Sequence, residues 1–189
     1  MTLRYTTGEF NEQYLPTIGD MYTKDVEVNG FPRSVQLDDT AGQEAYADLR
    51  SEKLGTGDGY LLVYSITDDT TFAKLDRLRE EILKAQAAKG KKAPPVFLVG
   101  TKADLDGDRA VTVQERKAKG KAWSSRTFEV SAKTDAGVKE VFQEMMKAIL
   151  ASSVDPSKGS GGGSVMGAGK TPARKDATPT KDNGKCLIV

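Results

Sequence analysis

The chain has 189 residues, 29% of them charged, with a formal net charge of +1, one cysteine and no histidine. That near-neutral balance supplies no basic field for nucleic acid, and the lack of histidine excludes His-based triads and most zinc sites. A single cysteine cannot staple a fold, so a reducing, cytoplasmic setting is expected; no apolar run reaches the ~18–20 residues of a membrane span, and Met1 opens no signal-peptide pattern.

In chain order, Asn29-Gly30 marks a hairpin turn between strands at 21–28 and 31–37. The second strand ends in Asp38-Asp39 and turns through Thr40-Ala41-Gly42-Gln43. A carboxylate at a strand end, followed by small residues, suits a Mg²⁺ ion beside a bound triphosphate. "YLLVYSI" at 60–66 and "VFLVGT" at 96–101 are continuous apolar runs, as in strands buried on both faces of a parallel sheet, and "TFEVSA" at 127–132 is a third. Between them Phe72, Leu75, Leu78, Ile82 and Leu83 form one helical stripe; Val138, Val141, Phe142, Met145 and Ile149 form another. Alternating strands and helices predict an α/β fold. After Leu150 the chain becomes rich in Gly, Ser, Thr, Pro and Lys and is expected to be a flexible, disordered tail over 151–185, behind a folded domain at 1–150.

Three loops carry the chemistry, each at the C-terminal end of a predicted strand, where open α/β sheets place ligands. They are Asp39-Thr40-Ala41-Gly42-Gln43, Thr101-Lys102-Ala103-Asp104, and Ser131-Ala132-Lys133. Any one alone is weak; in this order, behind these strands, they are specific. Over residues 3–150 the chain resembles the Ras family of small GTPases, and "FNEQYLPTIGDMY" at 10–22 resembles its effector segment. Thr-Lys-x-Asp in place of Asn-Lys-x-Asp is closer to Rho-type proteins, but no extra helix is expected between Asp104 and Val111.

The resemblance implies a P-loop NTPase-like small G domain, a mostly parallel sheet with flanking helices, that binds GTP and GDP with Mg²⁺ and hydrolyses GTP. Thr17 and Asp39 would serve the ion. The Gly42 N–H would meet the γ-phosphate, and Gln43 would orient the attacking water, since phosphoryl transfer needs positioning more than a strong base. Asp104 would accept hydrogen bonds from the guanine N1–H and 2-amino group. The Lys102 stem and Phe10 would cover the ring, and the Ala132 N–H would meet O6. Thr101, Ser131 and Lys133 belong to the same loops, while Tyr14 and Pro16 would close over the phosphates. Effectors would dock on residues 14–22, with exchange factors and GTPase-activating proteins as further partners of a monomer that binds no nucleic acid.

The family begins with a strand, then G-x-x-x-x-G-K-[ST], whose backbone N–H groups wrap the phosphates. Here residues 1–5 already resemble the second half of the following helix. "SVMGAGKT" at 164–171 is no substitute, because Ser164 stands at the first glycine position, glycines rather than an apolar strand precede it, and Pro172 follows. We therefore expect an N-terminally truncated domain, from an internal methionine start or a truncated isoform. The family's first strand lies between the strand ending at Asp39 and the one at 60–66, so its loss would leave two orphaned strand edges. On this footing the chain is a guanine-nucleotide switch or, alternatively, a non-catalytic pseudo-GTPase that acts as a binding module for effectors or exchange factors. Asp38, where the family usually has an apolar residue, is expected in a partly solvated site. Finally, Cys186-Leu187-Ile188-Val189 resembles a C-a-a-X signal at 186–189, with Cys186 as lipid acceptor and the cytoplasmic face of a membrane, the plasma membrane in the first place, as destination.

Overall fold

The computed structural model describes residues 1–12, 19–40 and 53–153, together with the backbone of 184–188. Helix α1 (Thr2–Thr7) is followed by strands β1 (Gly19–Val28) and β2 (Phe31–Thr40), then β3 (Gly59–Ser65). Next come α2 (Asp69–Ala73), α3 (Leu75–Ala88), β4 (Val96–Thr101) and a 3-10 segment at Ala103–Asp108. The chain continues through α4 (Val113–Trp123), β5 (Thr127–Glu129) and α5 (Val138–Ser153) to β6 (Gly184–Ile188). Between Asp104 and Val111 the chain forms only this 3-10 segment.

These strands form one sheet in the order β1-β2-β6-β3-β4-β5. The hairpin closes at Asn29-Gly30, both with positive φ, as the tight turn demands. All remaining pairings are parallel. The predicted strands are present with shifted ends: the hairpin strands run further, to Gly19 and Thr40, while the third apolar run keeps only Thr127–Glu129 as strand.

The position beside β2 and β3, where orphaned edges were expected, is filled. β6 pairs with β2 from Val35↔Gly184 to Asp39↔Ile188 and with β3 from Gly59↔Cys186 to Leu61↔Ile188. Two expectations are thereby corrected. The edges of β2 and β3 have backbone partners, and Gly184 and Lys185 belong to a strand rather than to a flexible tail. The short apolar run at 186–188, behind Gly184 and Lys185, takes up strand pairing where two edges wait for it.

The sheet divides the core into two layers. On one face Tyr5, Leu37, Leu61, Val99, Val130 and the α5 stripe pack together, and the Tyr5 ring stacks on Phe142 at 4.0 Å between centroids. On the other face Leu54, Tyr60, Leu62, Tyr64, Ile66 and Leu98 meet Leu75 and Ile82 from α3. All five residues of the predicted α5 stripe are buried. The first predicted stripe is split, because Phe72 belongs to α2 and Leu75 opens α3. Asp38 is fully buried rather than partly solvated, and it accepts a hydrogen bond from Gln36 Nε2 at 3.0 Å. A neighbour two positions away on the same face of the strand supplies the polar partner that burial demands.

Tyr64 is 1% exposed, stands edge-on to Phe72 at 4.8 Å, and has its phenol pushed up to about 12, chiefly by burial and secondarily by the Glu129 carboxylate. The unfolded chain releases this proton near pH ~10 and the folded chain holds it longer. Its contribution to stability is therefore intact below pH ~10 and is lost as pH climbs through about 12. Tyr64→Phe is expected to leave the urea midpoint at pH 7 unchanged or raised by about 1 kcal/mol equivalent, and to flatten the decline between pH ~10 and 12. Urea titrations at several pH values check both.

Candidate functional site: the C-terminal rim of the sheet

Strand β4 ends at Thr101, whose hydroxyl donates to the Tyr64 carbonyl at 2.8 Å and ties the rim of β4 to β3. The next residue, Lys102, has φ 63° and ψ 35°, the left-handed region that a side chain with a Cβ seldom adopts. The turn is held by Ala103 N–H donating to the Val130 carbonyl at 3.1 Å and Leu105 N–H donating to the Lys102 carbonyl at 2.8 Å. It leaves Lys102 and Asp104 exposed beside each other at the rim.

The third loop is joined to this one. Ser131, 1% exposed, donates from its hydroxyl to Asp104 Oδ1 and accepts from the Thr134 N–H at 3.1 Å. Asp104 thus has one carboxylate oxygen fixed by the loop behind it. Arg4 on α1 donates from Nε to the Ala132 carbonyl at 2.7 Å, from a terminal nitrogen to the Lys133 carbonyl at 3.2 Å, and from the other to the Gly8 carbonyl. Its guanidinium also lies 5.8 Å from the centre of the Phe10 ring, which is 40% exposed. Five donors in a rigid fork let one arginine connect three backbone positions and still face an aromatic ring. Lys133 forms an exposed ion pair with Glu12 at 3.3 Å.

A second brace stands behind the rim. Arg109, after the 3-10 segment, grips both carboxylate oxygens of Glu129 on β5 at 2.9 and 3.0 Å and reaches Asp106 at 2.8 Å. Arg116 on α4 approaches Glu129 at 3.1 Å. The Arg109 hydrogen bonds hold the Glu129 carboxyl below its ordinary range. The network fastens the segment carrying Asp104 to the strand leading into Ser131.

Asp39 occupies the end of β2, next to the N-terminal turn of α1. Its carboxyl is pushed above the usual carboxylate range, chiefly by burial, against the opposing pull of the Thr2 hydroxyl and the Met1 ammonium; Asp20 adds to the rise. A carboxylate drawn out of water toward its neutral form is a group that a divalent cation would restore to its charged form. Among the described residues no three His, Cys, Asp or Glu side chains cluster as a metal cage.

The structure therefore brings Thr101, Lys102, Asp104, Ser131, Ala132, Lys133 and Phe10 into one quarter of the rim. Asp39 stands at a separate quarter, and α1 spans the two, with Met1 and Thr2 at Asp39 and Arg4 at Ala132. Tyr14, Pro16, Thr17, Gly42 and Gln43 lie outside the described residues. Arg4, Arg109 and Glu129 were not singled out from the sequence. Their partners are distant in the chain, 128 positions away for Arg4 and Ala132, so no local pattern announces them.

The fold and these rim loops define the class, a small G domain. The model of the Ras family matches residues 1–151. Ras-related protein Ral-B of Rattus norvegicus is 39% identical over 162 residues, covering 86% of this chain and 78% of that protein. Ras-related protein O-RAL of Diplobatis ommata and Ras-related protein ralB-A of Xenopus laevis are each 38% identical over the same shares. The chain belongs to the Ras family and is a Ras/Ral-like small GTPase. Members of that family bind GTP or GDP with Mg²⁺, hydrolyse GTP, and interact with effectors, exchange factors and GTPase-activating proteins. No helix among the described residues is long and apolar enough to cross a membrane.

Arg4→Ala is expected to free the Ala132 and Lys133 carbonyls and to loosen the 131–134 turn with little loss of core packing. Hydrogen exchange checks this: the amides of 131–134 should exchange roughly tenfold faster, equivalent to about 1.4 kcal/mol of local protection, while those of β3 and β4 stay unchanged.

Proposed function

We propose that this chain is a guanine-nucleotide switch whose base-binding quarter is preassembled. The observation that carries this reading is the Asp104–Ser131 pair, with Arg4 holding the adjacent Ala132 carbonyl. One oxygen of Asp104 is fixed, and the carboxylate is left exposed to accept from the N1–H and 2-amino group of guanine, a donor pair that adenine does not present. The Arg4 bond holds the turn at Ala132, whose N–H would meet O6, while the exposed Lys102 and Phe10 side chains would flank the ring. Asp39 with Thr17 would hold Mg²⁺, which supplies charge neutralisation at the phosphates when bound. Asp39 is already drawn from water at that end of the rim. Gly42 would present its N–H to the γ-phosphate and Gln43 would orient water for hydrolysis. Tyr14 and Pro16 would close over the phosphates, and residues 14–22 would meet effectors in the closed form.

A second reading is favoured by one observation. The central strand position beside Asp39 is held by residues 184–188 rather than by a strand leading into a glycine-rich phosphate loop. On that reading the 189-residue chain is a binding module for effectors or exchange factors without hydrolysis.

Titration calorimetry on the purified chain decides between them. Micromolar or tighter binding of GTP with Mg²⁺, absent for ATP and weakened at least about tenfold by Asp104→Ala, equivalent to ~1.4 kcal/mol, selects the switch. Absence of binding to either nucleotide selects the module.

Cys186 would accept an isoprenoid, and the lysines at 158, 170, 175, 181 and 185 with Arg174 would add a diluted basic attraction to an anionic cytoplasmic leaflet. One lipid chain with so weak a second signal gives reversible membrane association. Cys186→Ser is expected to shift the protein from the membrane to the soluble fraction; an unchanged distribution on fractionation overturns the lipid reading.

A further inference from the structure

The centre of the sheet holds a pairing that nucleotide binding does not require. β2 and β3 run in the same direction without pairing to each other, and β6 lies between them. Cys186 sits opposite Leu37 on one side and Gly59 on the other; Leu187 sits between Asp38 and Tyr60; Ile188 sits between Asp39 and Leu61. A strand paired on both sides has its backbone donors and acceptors engaged toward both neighbours. The last four residues, 186–189, are those a C-a-a-X-reading enzyme would need to grip in single, extended form.

The course of the chain favours this pairing. A Cβ on Gly59 would come within 2.6 Å of Met145 Sδ and 2.8 Å of Ile149 Cδ1, so the later turns of α5 lie directly over the start of β3. α5 thus packs over the same end of the sheet at which Cys186 pairs with Gly59, and β6 runs parallel to the strands on both sides of it. Attachment through 154–183 makes the pairing intramolecular, which raises its effective concentration.

We propose that the gap between β2 and β3 is a strand-accepting slot, that residues 184–188 of this chain occupy it, and that occupancy withholds Cys186 from lipid transfer until the strand is released. The last part rests on the reading of Cys186 as a lipid acceptor; the first two do not. In the transfer, the Cys186 sulfur bonds to C1 of an isoprenoid diphosphate, the C1–O bond breaks, diphosphate leaves, and the thiol proton passes to solvent. An enzyme gripping the released terminus sees only the fraction of molecules in which β6 is unpaired, so the transfer rate falls by that fraction.

The test uses the full 189-residue chain and a free peptide of residues 181–189. The only cysteine makes thiol titration with Ellman's reagent a single-site measurement. The native chain should react roughly 100-fold more slowly than the peptide, in keeping with a minor released state, and the amides of 185–188 should be protected from hydrogen exchange. Leu187→Pro removes an N–H from the centre of β6 and should bring the rate to within about threefold of the peptide's. If that variant does not fold, exchange on the unaltered chain still decides. A native rate equal to the peptide's, with unprotected amides, overturns the slot. With prenyltransferase and farnesyl or geranylgeranyl diphosphate, a lipidated peptide and a resistant native chain support withholding; equal rates overturn it. A peptide that takes neither lipid overturns the lipid reading and the withholding with it, whereas the slot is still decided by exchange.

Discussion

A parallel sheet is only as continuous as its central strand. Here the antiparallel hairpin β1–β2 and the parallel group β3–β4–β5 are joined through β6, which pairs with both. Adjacent strands stand ~4.8 Å apart, so β2 and β3 cannot bond to each other across the width of a missing strand. Two rows of buried backbone N–H and C=O groups would then lack partners. The hydrophobic layer under α1 and α5 draws Val35 and Leu37 from the hairpin and Leu61 and Val99 from the parallel group into one cluster. Backbone pairing at the centre and apolar packing beneath it fix the distance between the two halves.

That distance sets what the rim can hold. Asp39 lies near the end of the strand on one side of β6, and the loops at 101–104 and 131–133 follow strands on the other. On the proposed reading, a nucleotide with its base at one end and its phosphates at the other would reach both quarters only if the sheet held them apart by its own width. α1 reinforces the arrangement through Arg4 at Ala132, with its N-terminal turn near Asp39. The guanidinium of Arg109 performs the corresponding task behind the loops, binding the segment after Asp104 to Glu129. Charge-assisted, bidentate contacts of this kind add geometric precision as well as attraction.

Most of the sheet was legible in the sequence. Continuous apolar runs identified β3 and β4, Asn-Gly identified the hairpin, and a complete stripe identified α5, because each rests on local pattern. The loops at 101–104 and 131–133 stand at the rim where the sequence puts them, each close behind its strand, while residues 41–43 of the other loop lie outside the described residues. The rest depends on contacts between distant residues. Arg4 has no local feature that points to Ala132. The buried Asp38 contradicts the strand's apolar alternation, and Gln36, which donates to its Oδ1, is a partner that the pattern alone does not name. α4 has a capping box at Thr112 and Glu115 but buries only Gly120, so its apolar face is too thin to announce a helix. β6 was hidden for a different reason: a short apolar run behind a polar tail resembles a lipidation signal, and only the two neighbouring edges, distant in the chain, make it a strand.

The central claim is that residues 184–188 complete the sheet from which the loops at 101–104 and 131–133 and the strand bearing Asp39 project. Its most direct test is a nuclear Overhauser measurement on the isotopically labelled chain, reading cross-strand backbone contacts across β2, β6 and β3. The account predicts contacts placing Cys186 between Leu37 and Gly59, and extended-strand chemical shifts throughout 184–188. Random-coil shifts for those residues, with no contact to either strand, would contradict it.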